Sequence, residues 1–296
     1  MIPDGEPSFT AFTAAAARAA HLMVDAPPVI FADTLAGAML GERAEEFIAF
    51  HRMHGTHPIL AGARAQVTCR SRYAEDRLAD AAGRGVGQYV LLGAGLDTFA
   101  WRSPLAGRVR VFEVDHPATQ AWKRRVESDP GWKRRVRAAP AGAAFVAVEF
   151  GRDSLRDELG RAGFDFGAPA FVSWLGVTVY LERDAVGQTL AVAGGFAPGS
   201  EIVVDYMLPA GLRDAAGEEY AGQIGPVAAE RGEPWLSPFG PDEMTALLCG
   251  HGFGAVRHVR QQDMVPAAAW DRTDVLRPAE LSRIAHARVG PAGPFG

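Results

Sequence analysis

The chain has 296 residues, 48% of them hydrophobic, which is enough for one large buried core with additions and too much for a small loop-rich fold. Thirty Lys and Arg against 35 Asp and Glu give a formal charge of -5, arguing against a protein built mainly to hold nucleic-acid phosphates. Cys69 and Cys249 sit in no metal or redox spacing, and the sequence shows neither a secretion leader nor an apolar run of about 20 residues, so a soluble, cytoplasmic protein is expected.

Residues 1–82 read as a helical cap, with apolar residues three and four apart in "PVIFADTLAGAML", "RAEEFIAF" and "ARAQVTCRSRYAEDRLADAA". In "HRMHGTH", His51, His54 and His57 stand three apart, but Gly55 and Pro58 break a regular helix face and no acid or cysteine joins them; no metal site is expected. After Gly87 the rhythm changes to short apolar runs between helical stretches. Strands are predicted at 89–92, 109–114, 144–148, 170–174 and 201–206, and helices at 98–101, 117–128, 152–161 and 183–193. Continuous apolar strands separated by helices indicate a doubly wound, mostly parallel sheet covered on both faces.

"WKRRV" occurs at 122–126 and again at 132–136, and reads as solvated helix faces rather than an RNA grip, given the acidic total. Residues 207–236 are polar, Gly-rich and too long for an ordinary connection, so a lid is expected there. A helix at 241–249, a strand at 252–259, a helix at 264–270 and a strand at 281–289 follow, which closes an α/β core over 83–290 and leaves 291–296 as a frayed tail.

The stretch "VLLGAGLDTFAWR" runs a strand into a glycine turn, the form of a cofactor-binding strand–turn–helix. Gly93 and Gly95 let the backbone approach a ligand closely. A dinucleotide site wants a third glycine where Thr98 stands, and Asp97 would repel a pyrophosphate. The next strand ends in "VFEVDHP", which places Glu113 and Asp115 where a ribose would lie. A nucleoside without phosphates and with a positive centre fits best: S-adenosylmethionine rather than NAD. Asp97 has a second role open to it, capping the following helix.

Together, "LLGAGLDTFAWR", "VFEVDHPATQAWKRR" and "WLGVTVYL" resemble the leucine carboxyl methyltransferase family and its bacterial relatives. The resemblance extends to "TAAAARAAHLMVDAPPVIFAD", "CRSRYAED", "GFGAVRHV" and "DVLRP", and so spans nearly the whole chain. It implies a class I, Rossmann-like methyltransferase with a seven-stranded sheet that uses S-adenosyl-L-methionine. It further implies that Arg18 and Arg70 hold the methionine carboxylate, Gly93 and Gly95 line the cofactor, Asp115 takes the ribose, and Glu149 and Phe150 hold the adenine. Where many members carry Glu-Gly this chain has Leu175 and Gly176, so Leu175 is not carried over as a ligand; Trp174 is expected to form an aromatic wall instead.

The implied reaction is O-methylation of a carboxylate on a small molecule or peptide end, in which alignment and exclusion of water matter more than a base. Tyr180 and Tyr206 are the acceptor-side candidates, and no residue is required as a catalytic base. Methylation of a hydroxyl, an NAD-dependent oxidoreductase and a non-catalytic cofactor-binding protein are the competing readings. The acceptor and the oligomeric state are left open.

Overall fold

The computed structural model describes residues 7–136 and 143–290. Four helices come first: α1 (Phe9–Val24), α2 (Ala36–Met39), α3 (Ala44–Met53) and α4 (Pro58–Gly83). Ser8 caps α1 by accepting from Ala11 N at 3.1 Å, and His57 caps α4 with Pro58 behind it, where a missing N–H costs nothing. Then follow β1 (Gln88–Leu92), α5 (Phe99–Arg102), β2 (Arg110–Asp115), α6 (Pro117–Ser128), α7 (Pro130–Arg135), β3 (Ala144–Ala147), α8 (Leu155–Arg161), β4 (Ala170–Trp174), α9 (Arg183–Gly194) and β5 (Glu201–Met207). The chain ends with α10 (Ala215–Glu230), α11 (Pro241–Gly250), β6 (Phe253–Arg260) and β7 (Ser282–Val289).

The seven strands lie in the order β3-β2-β1-β4-β5-β7-β6. The first five are parallel, while β7 runs antiparallel to both β5 and β6. All residues of β1, β4 and β5 are buried, as a sheet with helices on both faces requires. One core lies between the sheet and α8, α9 and α11, built on Phe112, Trp174, Leu190, Ile202 and Leu248. The other lies under α4 and includes Tyr89, Leu91, Phe171, Val203 and Leu78. Phe12, Met39 and Trp122 join the first helices to α6 in a third cluster.

The strand expectations hold to within a residue or two at each end. The sequence marks one further helix only as a solvated face and leaves another unassigned. The second "WKRRV" forms α7, capped by Asp129, and the expected lid carries the 16-residue α10, whose pattern is masked by Gly217, Gly222, Gly225 and Pro226. The expected helix at 264–270 is a single 3-10 turn, Ala267–Trp270. The tail 291–296 lies outside the described residues. In each "WKRRV" the tryptophan is buried; Lys123 is buried too, and Arg124, Arg125, Lys133, Arg134 and Arg135 are exposed.

Each histidine of "HRMHGTH" has a local partner: His51 Nδ1 lies 3.3 Å from Arg64, His54 N–H closes the end of α3, and His57 caps α4. Burial and then the Arg64 charge push the His51 imidazole down to about 4. Among the described residues no group of three or more His, Cys, Asp or Glu is placed to hold a metal ion, and no helix is long and apolar enough to cross a membrane.

Candidate functional site

Strand order reverses direction between β1 and β4, and in an open α/β sheet the crevice above the carboxyl ends at that point receives the ligand. The glycine turn lies there. Gly93 (φ +65°) and Gly95 (φ +52°) are in the left-handed region, and the N–H groups of Gly93 and Ala94 both donate to Val114 O, at 2.8 and 3.0 Å. A Cβ on Gly93 would overlap Val177 Cγ2, so the turn also packs against the segment after β4.

Asp115 ends β2 beside this turn. Its Oδ2 accepts from Gly95 N at 2.6 Å and its Oδ1 from His116 N at 2.7 Å, so one carboxylate ties the tip of the turn to the next strand. Burial raises its pKa and the two backbone donors oppose the rise. Glu113, two residues earlier on the same face, is committed elsewhere: it is buried and paired with Lys123 Nζ at 2.5 Å. Lys123 also donates to Asp97 O at 2.7 Å, which props the turn from below. Burial leaves the Glu113 carboxyl at about 7 despite Lys123. Asp97 Oδ1 accepts from Phe99 N at 2.6 Å and so caps the following helix.

Thr98, at the place of a third glycine, is buried and donates to Asp33 Oδ1 at 2.5 Å. Asp33 also receives Arg18 Nε at 2.9 Å, and Arg18 Nη2 donates to Leu96 O at 2.8 Å. Burial would raise Asp33, but Arg18 and Arg102 outweigh it and hold the carboxyl below its usual range. The first helix is thereby bolted to the turn through Arg18, whose Nε and Nη2 are already engaged.

Arg70, on α4, donates from Nη1 to Asp205 at 2.7 Å at the upper end of β5. Its guanidinium lies flat on Gly176 (φ +70°), where a Cβ would overlap Nη2, so glycine is needed there to seat the arginine. Asp205 is the residue the sequence reading missed. A lone acid in the buried run "EIVVDYM" was the available signal. Its Oδ1 is buried without a hydrogen-bond partner among the described residues.

Phe150 and Trp174 meet at 6.2 Å between ring centres. Trp174 is fully buried, and its Nε1 has no partner among the described residues. Glu149 is half-buried at the rim, paired with Arg152 at 3.0 Å.

The two tyrosine candidates separate. Tyr180 joins Val179, Met207, Tyr220, Trp235 and Leu281 beside α10. Burial raises the hydroxyl pKa of both Tyr180 and Tyr220, the latter to about 12, so both stay protonated. Tyr206 points to the opposite face of the sheet, packed with Phe239 and Met244, and its hydroxyl bonds His258 Nδ1 at 2.7 Å. Strand alternation puts Asp205, not Tyr206, on the Arg70 side.

Next to Arg70 a cavity of about 190 Å³ opens between α4, α10 and the segment before β7. The segment after α10 is tied to the first helix: Glu233 accepts from Thr10 N at 3.1 Å, and Arg231 lies over the Phe9 ring at 4.7 Å.

A Rossmann-like sheet with a reversed last strand, a phosphate-averse glycine turn and a carboxylate at the end of β2 defines a nucleoside-cofactor enzyme of the methyltransferase kind. Comparison with known proteins agrees. The family model "Leucine carboxyl methyltransferase" matches residues 11–193. YktD of Bacillus subtilis (strain 168), provisionally named an S-adenosyl-L-methionine-dependent methyltransferase, is 31% identical over 95% of this chain and 98% of its own. SCO7813 of Streptomyces coelicolor, with the same provisional name, is 34% identical over 67% of this chain and 66% of its own. A crystal structure from Thermobifida fusca YX, titled as a provisional methyltransferase, shares the fold at a TM-score of 0.57 and 18% identity, covering 97% of this chain and 96% of that one. The chain belongs to the leucine carboxyl methyltransferase family and is an S-adenosyl-L-methionine-dependent methyltransferase.

Proposed function

We propose that the enzyme is an O-methyltransferase acting on a carboxylate of a small molecule or peptide end. One observation supports the reading: the cavity lining includes the Arg70 guanidinium, which keeps donors beyond the one given to Asp205, and the protonated hydroxyl of Tyr220. Donors and a cation suit an anionic acceptor.

The residues present fit the cofactor. Gly93 and Gly95 admit it, Asp115 has lone pairs left for the ribose hydroxyls, Phe150, backed by the buried Trp174, offers the adenine a ring face, and Glu149 at the rim suits the exocyclic amine. Arg70 gives one donor to Asp205 and has others to share between the methionine carboxylate and the acceptor carboxylate beside it, and Arg18 supports the turn from the other side. Bound there, the cofactor supplies a methyl group on a sulfonium. A carboxylate acceptor would attack that methyl carbon with its own electron pair, the C–S pair leaving with sulfur, so none of the chain's residues would have to take a proton. The protein contributes alignment and the exclusion of water beneath α10.

A second reading, transfer to a hydroxyl, is favoured by the unpartnered Asp205 Oδ1, a carboxylate able to take the hydroxyl proton. Methyl-transfer assays with matched acids and alcohols separate the two. Asp205→Asn should spare carboxylate transfer to within a few-fold and cut hydroxyl transfer by about 10²–10⁴. If Asp205→Asn abolishes transfer to every acid, the carboxylate reading fails.

A further inference from the structure

Resting on the methyl-transfer reading above, we propose that the acceptor is a small organic acid with a compact apolar body, one ring or a short chain, held in the cavity beside Arg70. The first argument is size. An apolar cavity of about 150 Å³ holds benzene, so about 190 Å³ takes a body of about seven or eight heavy atoms.

The second argument is chemistry. Ile59 and Gly62 of α4, Ala216 and Tyr220 of α10, and Met264 and Leu281 of the final segments form the walls. Inside, Gln66 Nε2 donates to Ser282 Oγ at 3.2 Å and Gln261 Oε1 accepts from Ala279 N at 2.5 Å, so the few neutral polar side chains of the lining are partly spent on the protein itself. A peptide end would bring N–H and C=O groups that such walls leave without partners, at a cost an amide-free body does not incur. The charged side chains at the mouth, Glu219 and Arg277, are exposed, which leaves Arg70, paired with Asp205, as the charged lining residue at the inner end.

The third argument is that the walls are fixed. The Gln66–Ser282 bond joins α4 to the start of β7, and the Tyr220 ring lies so close to α4 that a Cβ on Gly62 would stand 3.4 Å from it. Wider bodies therefore require α10 to move away.

The test uses the full chain with S-adenosylmethionine and measures S-adenosylhomocysteine formed with benzoate, phenylacetate, hexanoate, dodecanoate, a blocked tripeptide ending in leucine, phenol and benzyl alcohol. The expected kcat/KM is at least tenfold higher for the three short acids than for dodecanoate or the tripeptide. Ala216→Phe, a change at an exposed wall position, should lower the short-acid values at least tenfold while the Kd for S-adenosylmethionine changes less than twofold. Met264→Ala should move the preference toward dodecanoate.

Preference for dodecanoate or the tripeptide would overturn the size limit and leave the carboxylate reading standing. Transfer to phenol or benzyl alcohol but to no acid would overturn the carboxylate reading and leave the size limit standing. No transfer to any of the seven by a chain that binds the cofactor, or an unaffected Ala216→Phe, would overturn the proposal.

Discussion

Asp115 is the residue on which most of the cofactor argument turns, and replacing it by alanine has two separable effects. The carboxylate accepts two short backbone hydrogen bonds, from Gly95 N and His116 N at 2.6 and 2.7 Å. Hydrogen bonds to a charged group contribute about 1.5–3 kcal/mol each, but the site is half-open and water can replace part of that. The expected loss of stability is therefore about 2–3 kcal/mol, a fall in Tm of about 3–5 °C for a chain of this size. Asp115→Ala also removes the ribose acceptor, which weakens S-adenosylmethionine by a further 1–3 kcal/mol, about five- to 150-fold in Kd. Thermal melting without ligand reads the first effect, and calorimetric titration below the melting range reads the second. A folded variant that binds the cofactor within twofold of the parent would refute the ribose assignment, and an unchanged Tm would refute the claim that this carboxylate holds the turn.

Three other changes test the framework. Gly93→Ala drives a methyl into Val177 at a positive φ and should cost about 2 kcal/mol or more with loss of cofactor binding; Val177→Ala in the same chain should restore part of both, as read by melting and titration. Lys123→Met leaves Glu113 buried without its cation and should destabilise by about 3–5 kcal/mol in denaturant titration, whereas adding Glu113→Gln should recover most of it. Burial raises the Glu113 carboxyl to about 7, so this group's contribution is fully present below about 4.5 and declines as pH rises toward 7.

Glu201 runs the other way. Burial would raise it, but His286 and Arg84 outweigh burial and hold it at about 2. Arg288, at 3.1 Å, adds a second permanent cation, so the lowering persists whether or not His286 is charged. Its contribution is present above about 4.5 and is lost as pH falls toward 2. Glu201→Gln should flatten that acid limb of the stability curve, and an unchanged limb would count against the pairing.

Much of this was local enough to read along the chain. The runs "QYVLL", "AFVSW" and "EIVVDYM" are apolar because both faces of a central strand are covered, and the two glycines of "GAG" sit where the backbone must turn left-handed. The carboxylate of Asp115 and the aromatic pair of Phe150 and Trp174 fall where strand ends meet the crevice, so their placing followed from strand position.

What tertiary structure alone decided are the matters of face and partner. Glu113 and Asp115 look alike in sequence, yet one is spent on Lys123 and the other on the glycine turn. Tyr206 was a reasonable acceptor candidate until the pleat turned it toward His258 and turned Asp205 toward Arg70. Nor could Gly176 announce that it makes room for a guanidinium arriving from a helix about a hundred residues earlier. The sequence by itself determined the elements and the class of cofactor, because hydrophobic runs, glycine turns and strand-end carboxylates act over a few residues. The cavity beside Arg70 depended on the tertiary structure, because its walls come from α4, α10 and the segment before β7, and only packing brings those together.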